Sequence, residues 1–203
     1  MKEAKIRLSA KEMELITKAD WILTKNEALL KIEGLLASLQ LKQKEFLADK
    51  AFQLPIEFFN STPKISKGEN YLGLPYRILD YPKIFNQSEI IAIRTMFWWG
   101  NFFSITLHLS GTYKSLYEEK IIQAKSLLGQ DQFYYCNNKM EWEHHFEESN
   151  YFLIDKIPDN DFIASVRERE FCKLAFKLDL QQTEKAEEIL MKKYKILIDI
   201  LVN

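Results

Sequence analysis

Apolar positions along this chain alternate between a helical and a strand period. Met13, Ile16, Ala19 and Leu23 recur at intervals of three and four, the spacing of one helix face. Ser9 to Glu12 has the form of a capping box, in which a hydroxyl takes a free backbone N–H and the Glu reaches back. Thr24 to Glu27 repeats that form and predicts a break or restart near Thr24. Leu29, Ile32, Leu36 and Leu39 continue the seam, Gln43 interrupts it and Phe46 resumes it. This predicts a long amphipathic helix to about Lys50. Periodicity lapses over 52–70, where Pro55, Pro63 and Gly68 mark a loop.

From Tyr71 to Pro82 the chain reads as extended, with Pro75 pointing to an edge strand or a bulge. Alternation then runs from Ile91 to Ser110 around Gly100-Asn101, a suitable two-residue hairpin turn. With that turn, Trp99 pairs with Phe102 and Trp98 with Phe103. One face collects Ala92, Met96, Trp98, Phe103, Ile105, Leu107 and Leu109, with Arg94 the exception: it reaches to water at the strand's edge or, if buried, pairs with Asp80 or a bound anion. The other collects Ile93, Thr95, Phe97, Trp99, Phe102, Ser104, Thr106 and His108.

Thr112 to Leu128 returns to helical spacing, with Gly129 in position to end the helix in a left-handed conformation. QFYYC and MEWEHHF alternate about Asn137 to Lys139 and predict a second hairpin. YFLIDKI predicts a further strand, Pro158 to Asp161 a turn opening a short helix through Arg169, and Leu174 to Leu180 a strand. Thr183 to Leu201 closes as a helix. The order predicts an α+β fold, a mostly antiparallel sheet with helices packed on one face, flanked by long N-terminal helices and a C-terminal helix. A single domain spans 1–203, with a helical segment over 1–50 and an α+β body over 71–203.

Composition narrows the function. The 203 residues carry 28 Lys+Arg against 29 Asp+Glu, a net charge of -1 without basic clusters, which argues against nucleic-acid binding. No apolar run approaches the ~20 residues of a membrane span, and the first residues lack a leader-like stretch. Cys136 and Cys172 lack metal spacing and read as small buried thiols. These features predict a cytoplasmic protein with no cofactor and no membrane partner.

Aromatic rings interleaved with hydroxyls and an imidazole have the chemistry of a ligand wall. The predicted binding set is Tyr76, Arg77, Thr95, Phe97, Trp99, Phe102, Ser104, Thr106 and His108. The leading expectation is a non-catalytic domain that binds a small molecule or a protein through this face. The outer face of a half-exposed sheet explains the same residues. Two enzymatic alternatives are His108 as general base, and a metal-dependent hydrolase using Glu143, His145 and Glu147. A third alternative is an oligomeric scaffold, such as a homodimer, formed through the 26–50 and 183–201 helices.

GLPYRILDYPKIF followed by AIRTMFWWGNFFSITLHLSG resembles the signature region of a small bacterial family with no assigned function. The likeness covers the middle third of the chain. It implies that the extended segment and the hairpin form one unit, and it brings no catalytic residue or cofactor.

Overall fold

The computed structural model describes residues 6–86 and 89–202; the first five residues, part of the stretch read above for a leader, lie outside it. Helix α1 (Ala10–Thr17) is followed after two residues by the long α2 (Asp20–Ala48) and the short α3 (Ile56–Asn60). Strands β1 (Lys64–Tyr71), β2 (Leu74–Phe85), β3 (Ile90–Trp98) and β4 (Phe102–Ser110) then form a meander. Helices α4 (Gly111–Gln123) and α5 (Lys125–Gln130) precede β5 (Tyr134–Cys136) and β6 (Tyr151–Leu153). Helix α6 (Asp159–Glu168), β7 (Phe171–Asp179) and α7 (Ala186–Val202) complete the chain. The seven strands make one antiparallel sheet in the order β1-β2-β3-β4-β7-β5-β6. The fold is α+β.

The core lies between the sheet and its helices. Leu79, Ile91, Ile93, Phe103, Ile105, Leu107, Leu174 and Leu178 meet Leu29, Ile32, Leu36 and Leu39 of α2 and Leu190, Tyr194 and Leu197 of α7 in one buried cluster. Each such side chain contributes roughly 1.5–3 kcal/mol by leaving water. The seams of α2 and α7 are therefore covered within one chain, so the helices named for a scaffold already have their partners. Ion pairs Lys42–Glu187 (2.7 Å) and Lys50–Asp199 (2.9 Å) border that contact.

Several expectations are corrected. The helix break falls at Lys18-Ala19, not at Thr24, which lies inside α2. An extended Lys18 (φ -107, ψ 109) ends α1, and a helical pattern alone cannot register that turn. The segment over 52–70 is not all loop, because it holds α3 and β1, so the sheet begins before residue 71. Strand β1, not the Pro75 strand, is the edge on this side; the bulge alternative holds, because the register shifts between Gly68 and Tyr71, opposite Pro75. Gly68 serves close packing there: a Cβ on it would lie 2.3 Å from the Tyr76 ring. Gln132 (φ 59), not Gly129, takes the left-handed conformation after α5. MEWEHHF is not a strand. Strand β5 pairs with β6 and β7, and 137–150 crosses the sheet as an irregular strap.

Candidate functional site

The β3–β4 reversal holds three residues, Trp99, Gly100 and Asn101, with Trp98 opposite Phe102 and Phe97 opposite Phe103. Gly100 (φ 71) supplies the left-handed residue. One extra loop residue exchanges the two faces of a strand relative to its neighbour. The predicted alternation of β4 holds, and that of β3 is reversed. Thr95 and Phe97 lie on the helix side with Phe103 and Ile105, while Arg94, Met96 and Trp98 share the face of Ser104, Thr106 and His108.

That second face is not open. The strap covers it, and Lys173 of β7 fastens the strap by donating from Nζ to the carbonyls of Glu141 (2.8 Å) and Glu143 (2.7 Å). Tyr71 Oη accepts from the backbone N–H of His144 (2.7 Å) and His145 (3.2 Å). Phe146 stacks on Tyr151 at 4.7 Å and meets Phe102 edge-on at 5.0 Å. Arg94 donates to both oxygens of Asp80 (2.8 and 3.0 Å) and reaches His144 Nε2 at 3.2 Å. Of the options open to Arg94, the structure shows pairing with Asp80 and not a side chain reaching to water from the strand's edge.

Electrostatics follow from this burial. Lys173 is 1 % exposed, and loss of water pulls its amine down to about 8. His108 is 6 % exposed; burial, with Lys173 and Arg94 nearby, holds it down to about 3. Burial likewise pushes His144 well below the usual imidazole range. His108 Nε2 lies 3.4 Å from Glu141 Oε2 without the alignment of a hydrogen bond. Buried and neutral, His108 is poorly matched to proton abstraction near pH 7.

The other predicted residues are dispersed. Arg77 turns to the helix side and bonds Glu33 of α2 at 2.6 Å. Tyr76 meets Tyr71 edge-on. His145 Nε2 lies 3.3 Å from Glu143 Oε2, and Glu147 is exposed beside Phe102. Among the described residues no group of three or more His, Cys, Asp or Glu is placed to hold a metal, so Glu143, His145 and Glu147 form no such set. The strap is irregular, and the strand alternation that grouped them is absent.

Trp99 stands apart. It lines a cavity of about 660 Å³ with Trp21, Thr24, Lys25 and Ala28 of α2 and Leu74 and Pro75 of β2, and Asp20 completes the lining. The volume lies within the roughly 300–1,000 Å³ of small-molecule sites. Two features build it. The turn carries Trp99 beyond the last strand pair, where its N–H donates to Pro75 O (3.0 Å). The start of α2 overruns the sheet and leaves Trp21 half exposed. Sequence reasoning missed Trp21, Thr24, Leu74 and Pro75. Trp21 was the available signal, a large apolar side chain outside the Met13–Leu23 seam.

Comparisons of the chain with protein-family models, with curated proteins and with solved structures returned no match. Among the described residues no helix is long and apolar enough to cross a membrane.

Proposed function

We propose that this chain is a non-catalytic binding module that captures an apolar group in the cavity between the start of α2 and the β3–β4 turn. The carrying observation is that Trp99 and Trp21, from elements distant in sequence, line one cavity of about 660 Å³ whose other walls are Ala28, Leu74 and Pro75. Indole walls supply large contact area at low entropic cost, and the short polar set of Asp20, Thr24 and Lys25 gives the rim its orientation chemistry. Lys25 is already paired with Glu69 (2.7 Å), which favours an occupant that is mainly apolar over an anion. The wider aromatic and hydroxyl face contributes Trp99 alone to this cavity.

Thermal-shift screening against small apolar molecules tests the reading. Ligands that raise the melting temperature of the wild type and not of Trp99→Ala support it. Equal shifts in both proteins, or none in either, contradict it.

A further inference from the structure

Every residue from Ile6 to Trp21 is exposed, and α1 buries none of its side chains. An eight-residue helix is marginal alone in water, even with the capping box that Ser9 and Glu12 make here. Its Met13–Ile16 face, together with Ile6 (86 % exposed) and Leu23, is an apolar surface without a partner among the described residues. Two residues further on lies the Trp21–Trp99 cavity, apolar and open.

We propose that this cavity receives α1 of a second copy of the chain. The proposal rests on the reading of the cavity as the recognition site and names its occupant. Helix and receptor are consecutive in sequence, so a twofold axis beside Trp21 seats each α1 on the other chain in one self-complementary contact. Return of α1 to its own cavity is opposed by the joint: Lys18 is extended, and Trp21 Nε1 donates to Leu15 O at 2.8 Å, which fixes α1 against the start of α2 with none of its residues in the cavity lining. A lipid surface is disfavoured by charge, because α1 sets Lys11 against Glu12 and Glu14 and lacks a basic face. Covering Ile6, Leu8, Met13, Ile16, Trp21 and Leu23 on both chains removes on the order of 1,000 Å² from water, the scale of a specific interface.

Sedimentation of the full chain at rising concentration tests this, beside Ile16→Glu and a dye whose aromatic rings fluoresce in apolar sites, 8-anilinonaphthalene-1-sulfonate. The expected result is a wild-type dimer that Ile16→Glu weakens by about a hundredfold, because a carboxylate resists burial. Dye binding then rises in Ile16→Glu, whose cavity is vacated, and falls on adding Trp99→Ala. Mixing an Ile16→Cys chain with a Leu74→Cys chain gives a disulfide between chains. A wild-type monomer, or a dimer indifferent to Ile16→Glu, overturns the proposal. So does an Ile16→Cys/Leu74→Cys chain that links only within itself, since α1 then closes its own cavity. A monomer that still binds dye through Trp99 leaves the cavity reading standing and removes only the second copy. A monomer whose dye binding ignores Trp99 removes both.

Discussion

Arg94 Nη1 lies 3.2 Å from His144 Nε2. A guanidinium only donates, so the imidazole accepts there and carries its proton on Nδ1. The contact couples a central strand to the strap and needs a neutral histidine. All three histidines of the chain, His108, His144 and His145, lie at or under this strap.

Acid therefore weakens the fold through His108 and His144, both held below the usual imidazole range by burial. His108 is held at about 3 when folded, against 6.5 for the free group. Between those values the unfolded chain binds more protons, so stability falls as pH drops from 6.5 toward 3. The slope for one buried histidine reaches at most ~1.4 kcal/mol per pH unit. Urea midpoints are expected to fall steadily below pH 6.5, and His108→Phe to reduce that slope. An unchanged slope in His108→Phe would show that His108 is not the group responsible.

Removing the buried Asp80 strands a partly buried cation, Arg94. Asp80→Ala is expected to cost about 3–5 kcal/mol, and adding Arg94→Met to recover most of the loss. Chemical denaturation of both single variants and the double variant measures the coupling. Additive losses would mean that the two residues do not act as a pair.

Lys173 ties the strap by two carbonyls. Lys173→Met keeps the apolar stem and removes the tie, with an expected loss of about 1–3 kcal/mol. Trypsin should then cleave after Lys139 faster than in the wild type. Equal cleavage rates would place the strap's anchor elsewhere, in Phe146 or Tyr71.

Gln43 is buried in the α2 seam with neither amide atom hydrogen-bonded. Gln43→Leu is expected to raise stability by about 1 kcal/mol, since it removes unpaired polar atoms from an apolar contact. A lower melting temperature would reveal a partner for that amide.

Much of this fold is legible in residue order because its signals are local. The Leu29–Leu39 seam, the alternation of β4 and the Thr183–Leu201 helix each bury the side predicted. The β3 faces were misassigned because register depends on one loop residue, and Trp99 sits in the turn instead of in the last pair. The strap escaped notice for another reason. MEWEHHF alternates like a strand, yet its backbone is held by Lys173 and Tyr71, contacts that only the folded sheet brings together. The cavity needs the start of α2 placed against Pro75 and Trp99, a long-range placement that no motif records.

The cavity between Trp21 and Trp99 is the proposed recognition site. Its most direct test is the titration of 8-anilinonaphthalene-1-sulfonate into dilute wild type, Trp99→Ala and Trp142→Ala, followed by dye fluorescence. Saturable binding at one site is expected in the wild type and in Trp142→Ala, weakened at least about tenfold in Trp99→Ala. Binding that survives Trp99→Ala and disappears in Trp142→Ala would contradict it.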